Sequence, residues 1–454
     1  MTSLDAGTQA ARATGPALLA AQWLAEARFE ALPPATIAAA RAALTDWFAC
    51  VMAGRSAPVT QLVARRALLY APGGSVRLLT GGRTTAPFAA LVHATAAHAH
   101  DFDDTHIGTD AHFGGPTWAA LLAIAVRSRQ RLDDRQCCVA YVAGFQVGAK
   151  LGGRRLGHAM AQRGFQATGL LARISAAAAC ALLDRHDVRQ TAMALALAAS
   201  QSSGLTATFG TMTKPFQAGK AAFDGVCAAD LARDGFEASP AILEDGGGLA
   251  AALVQDGSAT VAVPELDSGW EVLRNSTKAY PCLHGIHPTI DAARELSART
   301  EAADIASARA FVAPGVSKIG HFIDPTDVHQ AKFSVPYCTA LGLLGSRVTL
   351  EDFTDAALRR SDVRDLLRRV EVIPDAGRKM YNSAVEVTLN GGEVLRADVA
   401  MARGHPARPL TQQELEMKFM EAARHQGGVE GAALLEVLSQ FPAQGTLERA
   451  LAML

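Results

Sequence analysis

The chain has 454 residues, with 43 Lys+Arg against 44 Asp+Glu and a formal charge of -1. At roughly 150 residues per domain that is room for two or three domains, and 49% hydrophobic against 19% charged residues supplies large cores and excludes disorder. The balanced charge removes the sequence-independent attraction behind nucleic-acid binding, and no apolar run approaches the roughly 18 residues of a membrane helix. The start MTSLDAGTQAARATG lacks the apolar core of a signal peptide. A cytoplasmic, soluble protein with no nucleic-acid or membrane partner is expected. Its seven cysteines include no C-x-x-C pair and read as buried reduced thiols.

Residues 16–255 read as helix after helix. In PPATIAAARAALTDWFACVMAG, Ile37, Leu44, Trp47, Phe48 and Val51 recur at helical spacing, with Pro33 and Pro34 at the start and Gly54 as a stop. The Ala-rich blocks PTWAALLAIAVRSRQ, ISAAAACALLDRHD, QTAMALALAASQSSG and GKAAFDGVCAADLARDG, edged by Gly, point to helices packed at close approach. The texture changes near residue 262. ARAFVAPGV and LLRRVEVIPD suit strands, and SAVEVTLNGGEVLRADVAM alternates apolar and polar about an Asn390-Gly391-Gly392 turn, a hairpin signal. After about residue 403 helices return, with Thr411 and Glu414 forming a capping box. The expected architecture is mainly α: a large discontinuous helical domain (1–262 and 403–454) interrupted by a smaller α+β lid (263–402).

The densest polar stretch is HATAAHAHDFDDTHIGTDAHFGGPTW, which holds His93, His98, His100, His106 and His112 with Asp101, Asp103, Asp104 and Asp110. Such residues can bind a metal, but His98 and His100, two apart on a helix, point to different sides, so no metal is expected. Read as a helix end, Asp101 and Thr105 share a face, and a Gly-rich loop delivers His112. A carboxylate, a hydroxyl and an imidazole together suit general acid–base chemistry, although the aspartates could equally be caps. Lys214 in GTMTKPFQAGK and Lys278 in STKAYPCLHGIHPTIDAA are flanked by Gly, Pro and aromatic residues, a setting for carboxylate binding; His284 and His287 follow Lys278 as a helix begins. Tyr337 lies in an apolar run with Lys332 and reads either as core or as a proton donor. No phosphate-binding loop, dinucleotide fingerprint or nucleophile elbow is present.

Taken together, AHDFDDTH with a later His, GTMTKPFQAGKAAFDGVCAADLARDGFEASPAILEDGGG and KAYPCLHGIHPTIDAA resemble the MmgE/PrpD family. That family includes 2-methylcitrate dehydratase, cis-aconitate decarboxylase and iminodisuccinate epimerase. The resemblance implies a helical domain with a smaller lid, a homodimer, and a site between the domains that needs neither metal nor cofactor and takes a small carboxylic acid. It carries site roles onto Asp101, Thr105, His112, Lys214, Lys278 and Tyr337, with His287 matching a histidine after the YPC segment. Two departures stand out. An RGFH-like stretch becomes Arg163-Gly164-Phe165-Gln166, and a KPLH-like turn becomes Lys214-Pro215-Phe216-Gln217. Gln166 and Gln217 cannot exchange protons near neutral pH as histidines would.

The shared chemistry is a carbanion beside a carboxylate, which demands a placed base and cations for the developing charge. His112 is the expected base or acid, with Asp101 orienting it or binding substrate through Thr105. Lys214 and Lys278 would supply the cations, and Tyr337 a donor on the opposite face. A hydro-lyase of the 2-methylcitrate dehydratase type leads. An epimerase of an amino- or imino-dicarboxylate, a decarboxylase, and a catalytically silent carboxylate-binding protein stand behind it.

Overall fold

The computed structural model describes residues 15–127, 132–153, 156–243, 248–255, 265–425 and 430–454. Two hydrophobic cores organise them. The first runs from Ala17 to Val272 and then takes in Leu350 and a set from Phe419 to Ala450, much later in the chain. The second is confined to Tyr280–Val399. The division expected at residue 262 falls within 256–264, outside the described residues, and Leu266 and Val272 beyond it still pack in the first core.

The first core is helical. Thr213–Arg233 packs against both Ala86–His98 and Ala167–Leu183. Glycine makes these crossings close: a Cβ on Gly219 would sit 2.5 Å from the Leu91 carbonyl oxygen, and one on Gly225 would sit 2.4 Å from Ala176 Cβ. The Ala- and Gly-rich faces read from the sequence therefore serve backbone approach, which larger side chains would prevent. Across one crossing Arg173 pairs with Asp224 at 2.6 Å, both almost fully buried. The contacts place the start of Thr213–Arg233 beside the end of Ala86–His98, and this juxtaposition positions the site.

Pro34–Gly54 is long and apolar enough to cross a membrane by length and composition, a property that a search for unbroken apolar runs passes over. Its apolar window is 72% buried inside the fold, packed on Ala86–His98 and on Gln412–His425. The latter helix starts with the expected capping box: Thr411 N–H donates to Glu414 Oε2 at 2.8 Å and Glu414 N–H to Thr411 Oγ1 at 3.2 Å.

The second core is α+β. A four-stranded sheet runs Val370–Pro374, Ile305–Val312, Ser383–Leu389, Val394–Val399. The first pair is parallel and the other two are antiparallel. The Asn390-Gly391-Gly392 turn closes the last pair, with Thr388 opposite Val394. Alternate residues Ala308, Ala310, Val312, Val385 and Val387 are buried under the helices His287–Ser297 and Val335–Leu343. The fold is mainly α with a smaller α+β portion.

Candidate active site

The Ala86–His98 helix ends three residues before Asp101, which turns the chain with φ +52°. This left-handed conformation is rare outside glycine and best tolerated by Asp and Asn, whose short polar side chains bond locally. Asp101 and Thr105 therefore do not share a helical face, contrary to the sequence reading. They converge because the chain reverses, and Thr105–His106 pairs antiparallel with Asn275–Ser276.

That pairing brings in Lys278. Its Nζ donates to Asp101 Oδ1 at 2.8 Å and to the Asp101 carbonyl at 2.9 Å. Lys214 Nζ, from the first turn of Thr213–Arg233, donates to the same carboxylate oxygen. Burial alone would raise the Asp101 carboxyl, but the two ammonium groups hold it well below its usual range. Burial also lowers Lys214, opposed by Asp101 and reinforced by Lys278. A third lysine, Lys418, braces this arrangement from the returning C-terminal helix: it donates to the carbonyls of Phe102 and Lys278 at 2.7 and 3.0 Å and pairs with Asp46 at 2.6 Å.

Four of the five clustered histidines serve the scaffold. His93 accepts from Leu79 N–H, His100 bonds the Ala53 carbonyl, and His106 bonds Glu271 Oε2. His98 Nδ1 lies 2.8 Å from Asp103 Oδ1. His112 alone of the five lines the cavity described below. Its backbone N–H donates to Thr168 Oγ1 at 2.9 Å, and its Nδ1 stands 3.5 Å from Asp103 Oδ2. Burial lowers His112, with Asp103 opposing, and lowers His98 to about 4. Both shifts favour the neutral ring, the state a base requires. Asp103 is held well below the usual carboxylate range because the two imidazoles outweigh its burial. The neighbouring Asp104 accepts from Gly114 N–H and Asn275 Nδ2 and so caps the next helix; burial, then Asp103, pushes it up to about 7.

His98 and His100 do point to different sides, His100 to the Ala53 carbonyl, yet ligand atoms of His98, Asp101, Asp103 and His112 lie within 4.8 Å of one another. Charge still disfavours a cation. Asp101 already accepts from two ammonium groups, and Asp103 from His98, so a metal would have to displace bonds the protein has made.

These residues open onto a cavity of about 530 Å³ between the two portions. Asp101, Thr105, His112, Gln166 and Lys214 line it from the helical portion, and Lys278, His284, Met380 and Tyr381 from the other side. The Thr105 hydroxyl and both amide atoms of Gln166 are buried without a partner, as expected of groups kept for a ligand. Gln217 does not line the cavity; its Oε1 and that of Gln166 would stand 3.2 and 3.3 Å from a Cβ on Gly204.

Besides Gln217, two further sequence expectations need correction. His287 is buried behind the site, its ring 4.8 Å from that of His284. His284 lines the cavity instead, with Nε2 3.1 Å from Ser276 Oγ and Nδ1 unpartnered. A short 3-10 turn, His284–Ile286, precedes the helix and sets which imidazole faces inward. Tyr337 belongs to the second core, where its hydroxyl donates to the Asp352 carbonyl at 2.5 Å. It is a satisfied core tyrosine and does not line the cavity. Tyr337→Phe should leave kcat unchanged and lower unfolding stability by about 1 kcal/mol, the worth of one buried hydrogen bond, in a urea titration.

Residues 19–262 match the MmgE/PrpD N-terminal domain and residues 280–440 the MmgE/PrpD C-terminal domain. The chain is similar to cis-aconitate decarboxylase of Homo sapiens, 27% identical over 351 residues that cover 73% of this chain and 71% of that protein. It is also similar to the cis-aconitate decarboxylase-like protein oryM of Aspergillus oryzae, 25% identical over 429 residues, 88% of this chain and 89% of that one. Cis-aconitate decarboxylase of Aspergillus terreus is 23% identical over 430 residues, 88% of each. With both family domains matched in order across the two portions that face the cavity, the chain belongs to the MmgE/PrpD family.

Proposed function

We propose that this protein is a metal-independent lyase that moves a proton beside a carboxylate of a small di- or tricarboxylic acid, in the first instance a hydro-lyase. The observation that carries this reading is the placement of His112, 3.5 Å from Asp103 and in one cavity with two ammonium groups that share a single carboxylate. The two lysines share one oxygen of Asp101, so their ammonium groups keep N–H donors that can seat a substrate carboxylate. His112 takes the proton from the adjacent carbon, and the electron pair spreads into that carboxylate, where Lys214 and Lys278 offset the added charge. The C–O bond then breaks, the alkene forms, and the departing hydroxyl takes a proton. The His112 imidazolium formed in the first step returns that proton and ends neutral. His284 does not supply it, because the Ser276 hydroxyl donates to the Gly404 carbonyl, which leaves the His284 hydrogen on Nε2 and its Nδ1 bare.

A second reading, decarboxylation, is favoured by the activity named for the relatives. There the C–C bond breaks, CO2 leaves, and the carbanion takes one proton from His112, which must first take that proton up from solvent. Incubation with methylcitrate, citrate and cis-aconitate in D2O, with and without EDTA, separates these by NMR. Alkene signals with loss of water identify a hydro-lyase, and CO2 release a decarboxylase. Exchange with inversion and no alkene would make the protein an epimerase. Absence of both turnover and exchange for every acid would overturn the proposal, and loss of activity with EDTA would overturn its metal-free part.

A further inference from the structure

One pole of the cavity holds its two buried ammonium groups. Lys214 and Lys278 meet on the same oxygen of Asp101, with Thr105 and His112 lining the cavity beside them. A set of hydrocarbon side chains, Phe165, Ala207, Phe209, Leu283, Ile319 and Met380, also lines the cavity, alongside the polar His158, Gln162, His321 and Tyr381. This hydrocarbon wall begins at the pole itself, since the Phe209 ring centroid lies 5.3 Å from Lys214 Nζ. None of the five larger side chains in this wall is buried; each remains partly exposed, with surface that a ligand would cover. Among the described lining residues the one further ammonium is Lys318, which is exposed.

A carboxylate laid directly on these hydrocarbon side chains would lose water without gaining a cation or donors, whereas an alkyl group there would lose nothing. The volume, about 530 Å³, is that of sites for ligands well beyond a six-carbon acid, roughly 300–1,000 Å³. We propose that the preferred substrate carries an apolar arm, an alkyl or aryl substituent of several carbons, with its carboxylate end at Asp101, Lys214 and Lys278 and the arm along the Phe165–Phe209–Ile319–Met380 wall. This deepens the reading of a carboxylate-directed site and rests on it, but concerns binding and not proton transfer.

The test is calorimetric titration of the full chain with methyl-, propyl- and hexylsuccinate. Affinity should rise about fourfold for each added methylene that reaches the wall, roughly fifteenfold from methyl to propyl. Ala207, solvent-exposed at the cavity surface, can accept a larger side chain without disturbing either core; Ala207→Trp should cut the ratio of hexyl to methyl affinity at least tenfold. Equal or falling affinity along the series would overturn the proposal, as would a rise that Ala207→Trp leaves intact. Failure of proton exchange in D2O would leave these ratios untouched, so the two readings fail separately.

Discussion

Replacing His112 by alanine is expected to lower kcat by roughly a hundred- to ten-thousand-fold, the usual worth of a positioned general base. The thermal midpoint should move little, because the ring lines a cavity and its Nδ1 makes only a 3.5 Å contact with Asp103. The pH profile adds a check that packing alone would not move. His112 accepts a proton only when neutral, and burial has lowered its pKa from 6.5 despite the opposing charge of Asp103. The rate should therefore stay level as pH falls through the ordinary imidazole value and drop only below it. Asp103→Asn removes the charge that favours the imidazolium, so the His112 pKa falls further and the acid limb moves to still lower pH. On the plateau the same variant should be slower, since the ring has lost its orienting partner. A limb that stays in place in Asp103→Asn would remove Asp103 from this role.

Why these residues could be nominated from the sequence, and others misassigned, follows from the range of the interactions. Lys214 and Lys278 were visible because Gly, Pro and aromatic neighbours are poor company for a solvated lysine. The hairpin at Asn390-Gly391-Gly392 and the cap at Thr411 were visible because their signals are local. The partner of His112 was not. Asp103 reaches His98 and His112 only because Asp101 adopts a left-handed turn, and no helical period indexes a chain reversal. Likewise His284 and His287 are three residues apart, and a single 3-10 turn decides between them. The apolar run around Tyr337 allows both a buried and a catalytic hydroxyl; the choice lies with the Asp352 carbonyl. Lys418 carries no local mark at all, since its partners Asp46, Phe102 and Lys278 come from distant parts of the chain.

The polar pole is also where charge balance decides between binding and stability, which makes Lys278→Met the most informative second substitution. One donor to a developing anion is lost, and kcat/KM should fall by about a hundred- to a thousand-fold. The cost to the fold is real but partial, because Asp101 keeps Lys214; it should lie below the roughly 3–5 kcal/mol of a buried charge left wholly unpaired. The pH dependence has a definite sign. In the native protein the Asp101 carboxyl is held well below its usual range, so its contribution is present above the unfolded carboxylate pKa of about 3.9 and lost only as pH falls through the lower folded value. Without Lys278 one of the two opposing ammonium groups is gone, burial counts for more, and the folded pKa rises. Acid unfolding of Lys278→Met should consequently begin at higher pH than in the native protein. Lys278→Arg should rescue the charge but not the rate. A planar guanidinium cannot place one ammonium-sized donor on both the carbonyl and the carboxylate oxygen of Asp101. Full activity in Lys278→Arg would show that charge alone suffices there and would shift the transition-state role to Lys214.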